Sequence, residues 1–240
     1  MKVSIIIPTL NEEQYISNAL QSIAMQALPA GVTTEVLIVD GGSTDQTTQK
    51  VEKFFETIDS LPVRVFASIR GRAVQMNCGA AFARGDVLLF LHADSTLSPN
   101  AISELVATLE NPAVQYGYFP MNFSSNHPLA QLYAAATRIN SILTHYGDSG
   151  IFARKEFFEK VGQFPEQELM EDVEFLFRAR AISEPTLIRN AFVTTSARRF
   201  EKNGFLRQQL LNIYLVVQYI FGADVATLKA QYETGKWLLR

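Results

Sequence analysis

The chain has 240 residues, of which 48% are hydrophobic and 19% charged, and its formal net charge is −3. That length suits one large α/β domain, and the apolar content excludes a disordered chain. The mild acidity argues against nucleic acid as a partner, because attraction to a phosphate backbone needs a basic surface. Cys78 is the single cysteine; with no internal disulfide partner it reads as a buried, inert thiol that suits a reducing cytoplasm.

The apolar run at residues 3–7 ends at Pro8 and predicts a buried strand; it is too short for a signal peptide. A helix is expected over 12–25, a second buried strand over 35–39 and a helix over 44–55. A strand at 63–67, a helix at 72–83, a strand at 87–91 and a helix at 99–109 complete the first half. Short β-rich runs alternating with helices predict crossover units and a mainly parallel, Rossmann-like sheet flanked by helices. The second half is less regular. Residues 114–123 read as one or two strands, 128–143 as a helix, 150–153 as a strand, and 155–161 and 173–181 as helices. Short strands are expected at 186–188 and 192–195. The chain closes with helices over 205–221 and 224–232.

No run of about 18 apolar residues occurs. Within 205–221, Leu206, Leu210, Ile213, Val217 and Ile220 share one side at helical spacing. That face is expected to pack on the core; a membrane surface, for a protein peripheral at the inner face of the membrane, or a second copy of the chain is the alternative. All 240 residues are read as one domain, with nucleotide handling in 1–95 and acceptor handling in 96–240.

In open parallel sheets, ligands bind beyond the carboxyl ends of the strands. The residues there are polar: Pro8, Thr9, Asn11, Glu12 and Glu13 after the first strand, Asp40 to Asp45 after the second, Arg70 to Arg72 after the third, and His92 and Asp94 after the fourth. Helix capping is the competing explanation for Asn11, Glu12, Glu13, Ser43, Thr44, Asp45 and Asp94. Asp40 ends an apolar strand before two glycines, and its carboxylate can accept the imide N–H of a uracil ring. Asp94 is placed to hold Mg²⁺ or Mn²⁺, hard ions that take few protein oxygens when substrate phosphates supply the rest. His92 is either a second ligand, a diphosphate donor or a packed histidine. Gly-x-Gly-x-x-Gly after the first strand and Gly-x4-Gly-Lys-Ser/Thr are both absent, which disfavours dehydrogenases and phosphate-loop enzymes. Three histidines and one cysteine disfavour a zinc site.

Taken in order, the stretches SIIIPTLNE (4–12), VLIVDGGSTD (36–45), NCGAAFARGD (77–86), LHAD (91–94), GIFAR (150–154), VGQFP (161–165) and MEDVEF (170–175) resemble the family 2 glycosyltransferases. GRAVQMN (71–77), LFLHAD (89–94) and SARRFE (196–201) are most similar to a short subgroup, the selenodomain-associated transferases, which includes selenosugar synthases. The resemblance implies the GT-A fold and a nucleoside-diphosphate sugar donor, most often UDP-linked, with an acceptor that it does not name. By this likeness Pro8, Thr9, Asn11 and Glu12 belong to the nucleoside pocket and Asp40 reads the base. Arg72 and Asn77 belong to the donor side, with Arg72 near the phosphates. Asp94 is the metal-binding Asp of the Asp-x-Asp motif, whose first position is His92 here. Asp172, beside Glu171, matches the general base. Arg198 and Arg199 are expected to neutralise the departing diphosphate, and Asp148 and Gly150 to approach the sugar or the acceptor. Exposed basic residues, a solvated helix start and a tight turn are the competing explanations for those last three sets. A nucleotidyltransferase on a similar fold and a non-catalytic nucleotide-sugar-binding protein are the other functional readings. The acidic, glycine-free segment 8–13 disfavours the first of these.

Overall fold

The computed structural model describes residues 1–57, 61–140 and 147–235. The central strand is β1 (Lys2–Thr9), which pairs in parallel with β2 (Thr33–Asp40) on one side and β4 (Val87–Phe90) on the other. Beyond β2, β3 (Val63–Ala67) is also parallel. Beyond β4, β8 (Phe152–Arg154) runs antiparallel between β4 and β6 (Tyr116–Tyr118), and β9 (Thr186–Leu187) lies parallel to β6 at the edge. The order is therefore β3-β2-β1-β4-β8-β6-β9. A smaller sheet sets β10 (Val193–Thr195) between β5 (Ser95–Leu97), antiparallel to it, and β7 (Met121–Phe123), parallel to it.

The middles of β1 and β2 and the whole of β4 read as apolar runs because both faces of this sheet are covered; the buried Ser4 and Glu35 at the starts of the first two hydrogen-bond to each other (2.6 Å). On one face Ile5, Ile7, Ile38 and Leu89 meet Ile16, Leu20 and Ile23 of α1 (Ile16–Ala24), Val51 of α2 (Thr47–Thr57) and Leu105 of α4 (Ala101–Leu109). On the other, Ile6, Leu37, Leu88 and Phe90 meet Ala73, Met76 and Ala80 of α3 (Arg72–Phe82). Phe158 of α6 (Lys155–Val161) and Phe175 of α7 (Glu171–Arg180) extend that layer. Pro8 lies inside β1, where a missing N–H would normally disrupt a ladder. Its partner is Val39 on β2, whereas pairing with β4 stops at Ile6 and Phe90. Thr9 O faces β2 and Ile6 O faces β4, so the side of Pro8 that lacks a donor points past the end of the β4 ladder.

Several boundaries differ from the sequence reading. The first helix begins at Ile16, not at residue 12, because Asn11 adopts a left-handed conformation (φ 56°) and the backbone N–H groups of Glu12 and Glu13 are bound by Thr47 and Asp45 across the loop. Residues 114–123 become two strands in different sheets, divided at Phe119 and Pro120. The helix α5 (Pro128–Ala136) stops at Thr137, whose hydroxyl is shared between Ala134 O and the backbone of Met121; residues 141–143 of the expected helix lie outside the described residues. β5 and the short helix α8 (Arg198–Asn203) are additional elements.

The final amphipathic assignment is reversed. In α9 (Phe205–Ile220) the packed residues are Phe205, Gln208, Leu211, Leu215 and Val216. Leu206, Leu210, Ile213, Val217 and Ile220 are the exposed ones, between 37% and 59% open. The helix is apolar on two sides, so periodicity alone selected the wrong one; Leu211, Leu215 and Val216 pack with Val173 of α7 and Leu228 of α10 (Val225–Thr234). Among the described residues no helix is long and apolar enough to cross a membrane. Cys78 is half-buried, and burial raises its thiol pKa, which suits an inert group.

Gly79 sets the distance between α3 and the sheet. A methyl group there would lie 2.4 Å from Ile6 Cγ2 and 3.2 Å from Val39 Cγ2. Gly79→Ala is expected to cost about 1–3 kcal/mol through overpacking and to lower Tm by roughly 2–4 °C per kcal/mol. Thermal unfolding checks this; an unchanged or higher Tm means that α3 can move off the sheet freely.

Candidate active site

The loops after β1 and β2 are laced together. The Asn11 side-chain carbonyl accepts from Thr44 N (2.8 Å), and Asn11 N donates to Ser43 Oγ (2.9 Å). Gln46 N donates to Glu13 Oε2 (3.0 Å), while Asp45 binds Thr47 N and Thr47 Oγ1. Asn11 and Glu13 therefore satisfy the neighbouring loop, not the start of their own helix. Thr9 and Asp40 lie opposite each other in the ladder. The Asp40 carboxylate accepts from Gly42 N, Ser43 N, Ser43 Oγ and, at 3.3 Å, Thr9 Oγ1. This arrangement leaves Gly42 in a left-handed conformation (φ 90°) that favours glycine. Buried Gln75 on α3 completes this edge, donating to both Thr9 O (2.8 Å) and Val39 O (2.7 Å).

A second, ionic cluster lies beyond β4. Arg198, at the start of α8, forks onto both oxygens of Glu12 (2.8 and 2.6 Å) and also reaches Asp94 Oδ2 at 3.1 Å. Its guanidinium lies over the Tyr15 ring, 4.7 Å from the centroid. Bidentate geometry of this kind is the strongest form of a charge-assisted pair. The Glu12 hydrogen bonds, with the charges of Asp94 and Glu12, outweigh partial burial and hold Arg198 more firmly protonated. Asp94 itself is only 14% exposed. Burial raises its pKa, with the charges of Asp148 and Glu12 adding to the rise against His92 and Arg198.

His92 Nδ1 meets Asp148 Oδ1 at 3.0 Å. Burial opposes charge on the imidazole, but Asp148 more than offsets this and raises the His92 pKa. Burial likewise resists ionisation of Asp148; His92, Arg72 and Arg199 overcome it and pull that carboxyl down to about 2. His92 Nε2 is buried without a hydrogen-bond partner. Asp148 belongs to a short turn, Gly147–Ser149, whose Gly147 N donates to Asp172 Oδ2. A Cβ at Gly147 would lie 3.0 Å from Asp172 Oδ2 and 3.2 Å from His92 Nε2, so the missing side chain lets these groups approach.

Glu171 and Asp172 open α7, where the helix dipole favours carboxylates. Glu171 is 1% exposed and pairs through Oε1 with Arg72 Nε at the start of α3; its Oε2 has no hydrogen-bond partner. Burial disfavours charge on Arg72, whose side chain is still 38% exposed, but Glu171, Asp172 and Asp148 prevail and hold it protonated. Asp172 is 7% exposed, with Oδ1 accepting from Val173 N at 2.9 Å.

The fold thus gathers Glu12, Arg72, His92, Asp94, Asp148, Glu171, Asp172 and Arg198 into one network. Arg199 borders it, 3.9 Å from the Tyr232 ring centroid. Other expected residues sit apart. Pro8 is within β1, and Asp40 takes all its donors from Thr9 and its own turn. The Asn77 amide staples the backbone of Phe164 through both its atoms. Gly150 (φ 61°) serves close packing, since a Cβ there would lie 2.9 Å from Val193 and 3.2 Å from Phe119. Tyr15, Gln75, Gly147 and Tyr232 escaped the sequence reading. A glutamine within the otherwise apolar stripe of α3 was the available signal for Gln75; Tyr232 carried none.

A profile of the family described as Glycosyl transferase family 2 matches residues 4–165. The chain belongs to glycosyltransferase family 2. Staphylococcus aureus TarS, a poly(ribitol-phosphate) β-N-acetylglucosaminyltransferase, is 33% identical over 110 residues, which cover 46% of this chain and 19% of TarS. Haloferax volcanii glycosyltransferase AglE is 27% identical over 170 residues, 68% of this chain and 56% of that protein. The chain therefore spans only part of the length of these curated relatives. The crystal structure of S. aureus TarS 1–349 with UDP-GlcNAc superimposes with a TM-score of 0.69 at 23% identity, covering 93% of this chain and 68% of that one. Mannosyltransferase PcManGT of Pyrobaculum calidifontis, solved with GDP-Man and Mn²⁺, gives 0.63 at 22% identity, covering 96% and 68%. The family 2 chain accordingly has the GT-A fold, with its mostly parallel sheet flanked by helices.

The His92–Asp148 pair makes a pH-dependent contribution to stability. Because the folded pKa of His92 is raised, that contribution is complete below the ordinary imidazole value and is lost as pH rises through the folded value. In metal-free protein, Asp148→Asn is expected to bring the His92 pKa down to its ordinary value or lower, since burial and Arg72 both oppose the charge. NMR titration of the imidazole reads this directly; an unmoved midpoint disproves the coupling.

Proposed function

We propose that this family 2 chain transfers a sugar from a nucleoside-diphosphate sugar, UDP-linked, to an acceptor nucleophile with inversion at the anomeric carbon. The observation that carries the reading is the single network joining Asp94 and His92 beyond β4 to Glu171 and Asp172 at the start of α7. Relatives crystallised with UDP, UDP-GlcNAc or GDP-Man support a donor of this class. The exposed stripe of α9 is where peripheral contact with a membrane, or with a second copy of the chain, would fall.

One single displacement accounts for the chemistry. The acceptor's heteroatom forms a bond to the anomeric carbon as the bond from that carbon to the diphosphate oxygen breaks. The acceptor proton passes to Asp172, and the electron pair leaves with the nucleoside diphosphate. Asp172 suits the base because Gly147 N and Val173 N fix its carboxylate while each oxygen keeps a further lone pair. Glu171 holds Arg72, and Arg72 and Arg198 offer fixed positive charge to the departing diphosphate. Thr9, Glu12 and Asp40 line the nucleoside side. For Asp40 to read the base, the imide N–H must share an oxygen already bound within the turn.

Among the described residues no three metal-type ligands converge. Asp94 with His92 nevertheless fits a divalent ion, because such ions take only one or two protein ligands beside substrate phosphates and His92 Nε2 is a buried atom without a partner. Mg²⁺ or Mn²⁺ held there would supply positive charge to the diphosphate.

Incubation with UDP-sugars, Mn²⁺ and a panel of hydroxyl- and phosphate-bearing acceptors is expected to release free UDP. Release of sugar 1-phosphate instead indicates attack at phosphorus, as in a nucleotidyltransferase, and binding without either product across the acceptors indicates a non-catalytic protein. Asp172→Asn should reduce turnover by about 10²–10⁴-fold while UDP affinity by calorimetry stays unchanged; near-normal turnover assigns the base elsewhere. Asp94→Ala should remove the Mn²⁺ dependence of UDP binding, and an unaltered dependence rules out Asp94 as the ligand.

A further inference from the structure

Beside the carboxylate network, α8, the beginning of α9 and the end of α10 enclose a cavity of about 420 Å³. Arg198, Arg199, Lys202 and Arg207 line it. Arg198 is neutralised by Glu12 and Asp94. The other three cations make no ion pair with a carboxylate among the described residues: Arg199 lies over the Tyr232 ring and acts on Asp148 only at longer range, Arg207 donates to Gly235 O at 3.0 Å, and Lys202 is exposed. Among the described residues Glu233 is the one acidic residue in the lining, and its ion pair is with Lys229, at 3.9 Å.

Three unpaired cations around one concavity repel each other, and an anion seated among them relieves that repulsion. They are not part of a generally basic surface, because the whole chain carries a net charge of −3. The cavity also adjoins the reacting groups. Arg198 belongs to both, and Tyr232 lies within electrostatic reach of Arg199, Arg72 and Asp148. Lys202 stands about 6 Å along the α8 axis from Arg198, four residues at the helical rise. The volume falls within the range of small-ligand pockets, about 300–1,000 Å³, and exceeds what a bare anion needs.

We infer that this cavity is the acceptor's anion subsite, taking an acceptor that bears a phosphate group. The phosphate lies among Arg199, Lys202 and Arg207 while the nucleophile faces Asp172. A phosphomonoester carries about −1.5 to −2 charges and three acceptor oxygens at neutral pH, which matches three unpaired cations better than one carboxylate does. The assignment of this anion to the acceptor rests on the transferase reading above.

The test is calorimetric titration of sn-glycerol 3-phosphate into protein saturated with UDP, with glycerol as the neutral control. Binding is expected for the phosphate and not for glycerol. The double variant Lys202→Gln/Arg207→Gln is expected to weaken it at least tenfold with UDP affinity and Tm unchanged, and Lys202→Arg is expected to preserve it. Co-sedimentation with vesicles of phosphatidic acid in phosphatidylcholine separates the sources: capture that needs Lys202 and Arg207 assigns a lipid-borne phosphate, and binding of the soluble probe alone assigns a soluble one. Equal affinity in the double variant, displacement of the probe by UDP, or binding of neither probe overturns the proposal. Protein that fails to bind UDP yet binds glycerol 3-phosphate through Lys202 and Arg207 retains the anion cavity and refutes the donor reading instead.

Discussion

The candidate site depends on balancing the charge of clustered carboxylates, most of them largely buried. Glu12, Asp94, Asp148, Glu171 and Asp172 crowd the region beyond the carboxyl ends of β1 and β4, and isolated carboxylates there would be costly. Two arginines resolve this. Arg72, at the start of α3, answers Glu171, Asp172 and Asp148, whereas Arg198, at the start of α8, answers Glu12 and Asp94. The pairing joins residue 12 to residue 198 and residue 72 to residue 171, so the same contacts that balance charge tie together distant parts of the chain.

The scaffold makes this balance possible by fixing strand ends. Because β1 is held in parallel register by both β2 and β4, Thr9 and Asp40 emerge side by side and His92 and Asp94 follow β4 on the next position of the same edge. The loops that follow β1 and β2 satisfy each other's backbone donors, which leaves Glu12 free to face Arg198. Gly147 contributes by absence: without a side chain, the turn that carries Asp148 can bring Asp172 and His92 close together. On the proposed transferase reading, charges fixed in this way stabilise the departing diphosphate without reorganisation at the moment of reaction.

Much of the first half was legible in the sequence. Fully buried parallel strands must be mainly apolar runs, and the polar residues that end them must lie on one edge; residues 5–7, 36–39 and 87–91 obeyed both rules, and the buried Ser4 and Glu35 that precede two of these runs hydrogen-bond to each other. Helix starts were less legible. Asn11 and Glu13 look like caps of their own helix, yet they bond across the loop, and this choice depends on a neighbour about 30 residues away; Asp45 does both, accepting from Thr47 N at the start of α2 and from Glu13 N across the loop. Asn77 and Gly150 likewise carry motif positions whose structural work, a staple on Phe164 and a close contact with Val193, is visible only in three dimensions. The face of α9 was misread because a helix that is apolar on two sides has no single stripe for periodicity to find.

The sequence by itself determined the sheet-forming runs, the polar strand ends and the family motifs, because these follow from local period and spacing. Only the tertiary structure decided which carboxylate meets which arginine, that His92 pairs with Asp148, and that Arg199, Lys202 and Arg207 share a cavity with Tyr232. The physical reason is range. Propensity and hydrophobic period act over a few neighbouring residues, whereas an ion pair is set by spatial separation and burial, which only the packed chain fixes.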